Sequence, residues 1–169
     1  VTFYDMQREA ARTLTSLSRS YQRDIDDLSF EVLVVDNGSP AGRGVTADEV
    51  AAYGPEFRMV TPPETPPSPT VGLNYAIGQA RGDAVAIMID GAHVLTPGVI
   101  RYAMTGLDAY EPAVVAVQGW YVGPGQQGEA IRHGYDQAAE DALFEKIRWP
   151  RDGYRLFEIG HFIGDRDWF

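Results

Sequence analysis

Two short apolar runs, each leading to an acidic residue, are the clearest pattern along the chain. The first covers residues 30–36 and ends in Asp36, and the second covers residues 84–95 and contains Asp90 followed by a glycine. Continuous apolar runs of this length, rich in β-branched residues, are typical of strands buried on both faces of a parallel sheet. The pattern predicts two strands of one sheet, with residues 84–95 central, that bring Asp36 and Asp90 to the same edge.

Helical spacing of apolar residues alternates with these runs in the first half of the chain. Residues 1–4 are predicted to be the end of a strand, and Asp5 is the predicted N-cap of the following helix. The apolar stripe of that helix consists of Met6, Ala10, Leu14, Leu17 and Tyr21. Thr46 and Glu49 match a capping box, which predicts a short helix that ends at residue 53.

The remaining elements follow from the same patterns. Residues 57–60 are a weak strand, and residues 61–70 are a loop that proline stiffens. The spacing predicts a helix over 71–81, with Val71, Tyr75 and Ile77 facing inward and Gly82 as its stop. Thr96 and Pro97 open a helix through residue 110, residues 113–122 are a strand, and residues 129–147 are one long amphipathic helix.

This alternation of strands and helices indicates the fold class. Successive β-α-β units favour a parallel sheet with helices on both faces, joined by right-handed crossovers. We therefore expect an α/β chain with three layers, α/β/α, and a mostly parallel central sheet. At 169 residues and 44% hydrophobic, the chain fits a single domain over 1–169. Residues 1–4 resemble a strand whose beginning is missing.

Charge and composition narrow the classes of partner. The formal net charge is −10, so the chain lacks the basic surface of a nucleic-acid-binding protein, and we expect no nucleic-acid partner. It has no cysteine, which fits a reducing compartment, and no apolar segment reaches the length of a membrane span. We therefore expect a cytoplasmic protein.

The first turn excludes two common kinds of nucleotide site. A dinucleotide-binding site needs a Gly-x-Gly-x-x-Gly turn after the first strand, because the backbone must approach the pyrophosphate closely. Residues 4–8 contain no glycine, and the chain has no P-loop either. A diphosphate would then need another partner, most simply a divalent cation held by oxygen ligands such as Asp90.

Four parts of the chain, at residues 1–5, 31–39, 74–82 and 89–93, together resemble the nucleotide-binding part of family 2 glycosyltransferases, which have the GT-A fold. Residues 31–39, Glu-Val-Leu-Val-Val-Asp-Asn-Gly-Ser, resemble the strand of that family that ends in Val-Asp-Asp-Gly-Ser. Residues 1–5 resemble its first strand, in which Tyr4 keeps the pattern while Thr2 and Asp5 depart from it. Asn74 and residues 80–82 resemble the helix that begins near Arg-Asn and ends in Ala-x-Gly, although Leu73 replaces the arginine.

A further segment, residues 89–93, resembles the metal-binding Asp-x-Asp run of the family. Asp90 matches the first acid, Ala92 replaces the second, and His93 takes the place of a frequent third acid. The resemblance implies a divalent metal, Mn²⁺ or Mg²⁺, with Asp90 and His93 as its ligands. Imidazole is an acceptable ligand for such an ion.

The resemblance implies inverting transfer of a sugar from a nucleotide diphosphate sugar to an acceptor, which is a glycan, a lipid or a small molecule. The implied donor-binding residues are Thr2, Tyr4, Asp36, Asn74 and Asp90. Tyr4 would lie beside the base, and Asp36 would form a hydrogen bond with it. Asp90 would contact the ribose, the diphosphate or the metal bound to the diphosphate. No segment matches the family's catalytic base, so the acceptor-side C-terminal part is expected to lie beyond this chain.

Other interpretations of these residues stay open at the level of sequence. Asp36 can serve only to cap the Asn37-Gly38 turn, and His93 can be a polar turn residue. Tyr4 faces the core if the first strand is shifted by one residue. For the chain as a whole, the alternative is a catalytically degenerate GT-A domain that binds nucleotide or assembles with a partner. A sugar-phosphate nucleotidylyltransferase is disfavoured because the Gly-rich first loop is missing.

Overall fold

The structure is a computed structural model that describes residues 1–89 and 91–163. The chain divides into two compact units, an N-terminal unit of Val1–Leu95 and a C-terminal unit of Thr96–Phe169. Across the described residues, no helix has both the length and the apolar character needed to cross a membrane.

The N-terminal unit contains a three-stranded parallel sheet. The strands are β1 (Thr2–Phe3), β2 (Val32–Asp36) and β3 (Phe57–Val60), in the order β1-β2-β3. Helix α1 (Gln7–Leu17) connects β1 to β2, helix α2 (Ala47–Ala51) connects β2 to β3, and α3 (Thr70–Gly78) follows β3. The parallel pairing predicted from the strand-helix alternation is confirmed.

Strand β2 separates two apolar clusters because successive side chains of a strand point to opposite faces. On one face Val32 and Val34 belong to a buried cluster that also contains Phe3, Leu14 of α1 and Val50 of α2. On the other face Val35 packs with Val60 of β3 and Ala76 of α3. Helices therefore cover both faces of the sheet, and the predicted three-layer α/β/α arrangement is confirmed.

The predicted stripe of α1 is correct, but its predicted cap is wrong. Ala10 and Leu14 are buried, as the spacing requires, whereas Met6 is the N-cap residue and makes no side-chain cap bond. Asp5 has a φ of 55°, while an N-cap residue normally has an extended backbone. The carboxylate of Asp5 instead pairs with Arg43 Nε at 2.5 Å.

The capping box at α2 is confirmed. The hydroxyl of Thr46 accepts a hydrogen bond from the backbone N–H of Glu49, and the Glu49 carboxylate accepts one from the backbone N–H of Thr46. These two bonds satisfy N–H groups that a helix end leaves without intrahelical partners. Local sequence is sufficient to define this helix start.

The prediction of a buried central strand over residues 84–95 is wrong. Residues 84–89 form no strand, and Val85, Ile87 and Ile89 are 49%, 58% and 60% exposed. β1 is only two residues long and meets this segment through the Thr2 N–H, which donates to Met88 O at 3.2 Å. A ladder needs successive backbone pairs, so an apolar composition alone does not produce a buried strand here.

The inward face predicted for α3 is also wrong. Val71, Tyr75 and Ile77 are 41%, 36% and 39% exposed, while Gly72 and Ala76 are the buried residues of the helix. A Cβ at Gly72 would lie 3.0 Å from Val35 Cγ1. α3 packs closely on the sheet through its small residues, and its large side chains are directed outward.

The C-terminal unit contains mostly helices. They are α4 (Val99–Ala109), α5 (Gln127–Arg132), α6 (Gln137–Lys146) and α7 (Leu156–Ile159), and a two-stranded antiparallel sheet pairs β4 (Trp120–Val122) with β5 (Gly160–Phe162). The long helix predicted over 129–147 is wrong because Gly134, with a φ of 88°, breaks it between α5 and α6. The strand predicted over 113–122 forms only at its last three residues, and the helix predicted from Pro97 begins at Val99.

Candidate functional site

A cavity of about 240 Å³ lies beside the carboxyl ends of β1 and β2 in the N-terminal unit. The described residues that line it are Thr2, Phe3, Tyr4, Met6, Asn37, Pro67, Pro69 and Ile89. Ligands of open α/β sheets bind beyond the carboxyl ends of parallel strands. This cavity is therefore the candidate functional site.

Thr2 and Tyr4, both predicted as site residues, line the cavity in different ways. Tyr4 follows the last residue of β1 and is 56% exposed, so its ring is available to a ligand. Thr2 is 3% exposed, and its hydroxyl donates to the carbonyl of Ile89. The Thr2 hydroxyl thus fixes the neighbouring segment, whereas Tyr4 presents a free aromatic surface.

Asn37 is a buried polar residue that lines the cavity, and the sequence did not single it out. It is 5% exposed, and its Nδ2 donates to the carbonyl of Pro66 at 3.0 Å. That bond assigns the amide orientation, because a carbonyl accepts only from the NH₂ side. Oδ1 is then a buried acceptor that has no partner among the described residues. Buried acceptors of this kind are rare without a reason.

Asp36, the predicted base contact, organises the loop after β2. Its Oδ1 accepts from the N–H groups of Gly38 and Ser39 at 3.0 and 2.7 Å, and its Oδ2 accepts from Val45 N–H at 3.2 Å. An ionised carboxylate offers about four acceptor positions, so three are engaged within the chain. Asp36 therefore caps the turn, and one acceptor position remains for another partner.

The proline-rich loop of residues 61–70 forms one wall of the cavity. Pro67 and Pro69 line it directly, and the Pro66 carbonyl anchors Asn37. Gly38 has a φ of 85°, and a Cβ there would lie 2.6 Å from Thr65 Oγ1. The Asn-Gly turn and the proline loop thus pack closely against each other.

Asn74 is exposed on α3 and is not among the described residues that line the cavity. In a helix, residues three and four positions apart share a face. Asn74 accordingly differs in orientation from Gly72 and Ala76, which pack inward. A role for Asn74 at the donor therefore stays a prediction.

The predicted metal ligands are only partly described. Asp90 lies outside the described residues, and His93 is exposed. Over 1–89 and 91–163, no group of three or more His, Asp or Glu side chains could hold a metal ion. Gly91 and Ala92 carry no ligating side chain, so the described residues do not by themselves form a metal site.

Gly91 is held in close contact with β1 and α1. A Cβ on Gly91 would lie 2.1 Å from Phe3 Cδ1, and the Gly91 carbonyl accepts a hydrogen bond from the Thr13 hydroxyl. Only glycine fits at this position without moving the Phe3 ring. The turn that leads to His93 is therefore fixed at its first residue.

A second cavity, of about 360 Å³, lies within the C-terminal unit. Its acidic lining residue is Glu158, which pairs with Arg155 through contacts of 2.7 and 2.9 Å. The hydrogen bonds from Arg155 lower the pKa of Glu158 below its usual value.

Comparison with known proteins gives one family. The protein-family model described as "Glycosyl transferase family 2" matches residues 1–168. No curated protein and no solved structure gives a significant match. The family expected from the sequence is confirmed by this match.

Proposed function

Because the chain belongs to glycosyl transferase family 2, and so has the Rossmann-like GT-A fold, we propose that it transfers a sugar from a nucleotide diphosphate sugar. The family implies a nucleotide-sugar donor and an acceptor. The proposal adds inversion at the anomeric carbon and a glycan, lipid or small-molecule acceptor. The observation that carries it is the cavity beside β1 and β2, with an aromatic face and a buried acceptor.

Tyr4 and Asn37 are the proposed base-binding pair. The exposed ring of Tyr4 offers a surface on which a base can stack. The free Oδ1 of Asn37 can accept a hydrogen bond from a ring N–H or an exocyclic amino group of the base. Asp36 contributes its remaining acceptor position and holds the loop on which Asn37 lies. Thr2 and Asn74 keep their proposed roles at the donor, and Asp90 is proposed to address the ribose or the diphosphate.

The proposed reaction is a direct displacement. An acceptor hydroxyl attacks the anomeric carbon, the bond from that carbon to the diphosphate oxygen breaks, and a base takes the hydroxyl proton. The base is not assigned within this chain. A divalent cation, Mn²⁺ or Mg²⁺, held by Asp90 and His93 belongs to the proposal and would neutralise the departing diphosphate when bound.

Isothermal titration with UDP, GDP and CDP, with and without Mn²⁺, tests the proposal. We expect at least one of these nucleoside diphosphates to bind, and Asn37→Ala to weaken its binding about tenfold through loss of one buried hydrogen bond. Asp36→Ala and Asp90→Ala are also expected to weaken it. Thr105→Ala, exposed on α4, is the control and leaves binding unchanged. Absence of binding to every nucleoside diphosphate would overturn the proposal.

A donor-hydrolysis assay separates the enzyme from a nucleotide-binding module without activity. Ala92, in the place of the second acid of the family motif, is the observation that favours such a module. We expect slow release of free sugar from the bound donor, since water can replace the acceptor. Tight binding with no hydrolysis and no transfer by the full-length protein would favour the binding module instead.

A further inference from the structure

Hydroxyl groups of the first helix hold the segment that follows Asp90. The Thr13 hydroxyl donates to Gly91 O, Ser16 Oγ accepts from Leu95 N–H at 3.1 Å, and the Tyr21 hydroxyl donates to Leu95 O at 2.8 Å. The first two contacts join residues 78 and 79 positions apart in sequence. Residues 91–95 are therefore attached at both ends to α1 and the turn after it.

The hydroxyls of Thr13 and Ser16 are buried, so each needs a hydrogen-bond partner within the chain. Thr13 and Ser16 are both 0% exposed on a helix whose other buried residues include Ala10 and Leu14. A buried hydroxyl is costly unless it is hydrogen-bonded, and an apolar residue would otherwise pack here without that cost. Thr13 meets this requirement at Gly91 O, whereas Ser16 donates to Thr13 O at 2.7 Å within α1 and accepts from Leu95 N–H.

The Thr13 hydroxyl has a second possible acceptor within its own helix. Its Oγ1 lies 3.3 Å from Glu9 O, the carbonyl one turn earlier, but its contact with Gly91 O is shorter. A hydroxyl has one proton to donate, so Glu9 O and Gly91 O are alternative acceptors. The contact with Gly91 O is the one that links α1 to the turn.

We propose that Thr13 is a positioning residue for the diphosphate end of the donor site, which it serves by fixing the 91–93 turn through Gly91. The proposal rests on the proposed function, in which Asp90, the residue before Gly91, contacts the ribose or the diphosphate while Tyr4 and Asn37 bind the base. Phe3 prevents Gly91 from moving on one side, and Thr13 holds its carbonyl on the other. The position of Gly91 is thereby fixed from two sides.

The test compares a nucleoside with its diphosphate. Affinities for uridine and UDP, or for guanosine and GDP, are measured in the same Mn²⁺ buffer with the wild type, Thr13→Val and Thr13→Ser. We expect Thr13→Val to weaken diphosphate binding about tenfold, because it leaves a buried carbonyl without its hydrogen bond. Nucleoside binding should change little, and Thr13→Ser should restore diphosphate binding because it keeps the hydroxyl.

Thr15→Val is the matched control on the same helix. The Thr15 hydroxyl donates to Ala11 O at 2.7 Å within α1 and does not reach the turn. We expect wild-type affinities for both ligands. If Thr13→Val does not fold, Thr13→Ala replaces it. Equal losses of nucleoside and diphosphate binding, or a Thr13→Ser variant as weak as Thr13→Val, would overturn the proposal.

Hydrogen exchange separates this proposal from the proposed function. Thr13→Val should increase exchange of the amides in residues 91–95, whether or not nucleotide is present. A wild-type chain that binds no nucleotide would overturn the proposed function and, with it, a role for Thr13 at a diphosphate. A chain that binds nucleotide but shows unchanged exchange at 91–95 in Thr13→Val would overturn the positioning role alone.

Discussion

The side-chain amide of Asn37 donates a 3.0 Å hydrogen bond to the carbonyl of Pro66, and this bond leaves Oδ1 as the free atom of the amide. One residue thus links the end of β2 to the proline loop and presents a buried acceptor beside the cavity. The Nδ2 atom of Asn37 therefore holds the loop, while its Oδ1 atom is the candidate ligand acceptor. Substitutions that remove only one of these two atoms can separate their roles.

Asn37→Asp and Asn37→Ala should differ in ligand binding. Asp keeps an oxygen in place of Oδ1 but loses the donor to Pro66, whereas Ala loses both. We expect Asn37→Asp to retain nucleotide affinity within about threefold and Asn37→Ala to lose about tenfold, and both to be less stable than the wild type. Calorimetric titration and thermal unfolding measure the two effects. Equal affinities for Asp and Ala would show that Oδ1 is not the binding atom.

Asp36→Ala should loosen the loop between β2 and α2. It removes the acceptor for three backbone N–H groups, and charge-assisted bonds of this kind are stronger than neutral ones. Because the site is only partly buried, we expect a loss of about 2 kcal/mol in the free energy of unfolding. Urea denaturation measures it. Asp26→Ala, at an exposed position, is the control, and its free energy of unfolding should stay within about 0.5 kcal/mol of the wild-type value. A loss in Asp26→Ala equal to that in Asp36→Ala would contradict the role of Asp36 in holding the loop.

Glu31 should make stability depend on acid pH. Partial burial raises its pKa, but the hydrogen bonds from Arg81 and Arg58 outweigh this and hold the pKa at about 2 instead of 4.5. The folded chain therefore binds fewer protons than the unfolded chain between these values. The contribution is complete above pH 4.5 and is lost as the pH falls towards 2.

The variant Glu31→Gln isolates this effect. With solvent screening, we expect it to lower the free energy of unfolding by about 2 kcal/mol at pH 7 and to flatten the decline below pH 4.5. Urea denaturation at several pH values provides the measurement. Glu64→Gln, exposed on the proline loop, should leave the profile unchanged. A wild-type profile retained in Glu31→Gln would exclude the pairing as its cause.

Gly91→Ala should disturb the site through packing. The new methyl would lie 2.1 Å from Phe3 Cδ1, so the ring or the turn must move. Overpacking in a buried position typically costs about 1–3 kcal/mol, and we expect weaker diphosphate binding as well. Gly78→Ala, where a Cβ would meet nothing within 4 Å, is the control and should be neutral or slightly stabilising. Thermal unfolding with and without UDP measures both changes.

Much of the N-terminal unit was predictable from the sequence because its signals are local. The run ending in Asp36 gives β2, the four-residue spacing from Met6 gives α1, and Thr46 with Glu49 gives the start of α2. Each depends on neighbours within one turn or one strand. The position of Tyr4 at a cavity beside the sheet edge follows from the same parallel topology.

The candidate site was only partly predictable. Asn37 follows the strand in an Asn-Gly pair, which is also the ordinary composition of a turn. Its importance depends on Pro66, which lies 29 positions later and fixes the amide orientation. Similarly, Thr13 has the appearance of an ordinary helical residue until its contact with Gly91 is known. Such long-range partners leave no periodic signal.

The amino-acid sequence by itself determined the layered α/β architecture and the family, because hydrophobic periodicity and short motifs encode local geometry. Tertiary structure decided which apolar residues are covered. Val85 and Ile87 have strand-forming side chains yet are exposed, and α3 packs through Gly72 and Ala76 rather than its larger residues. Burial depends on which backbone lies close enough to pack or to pair, and that proximity is a property of the folded chain.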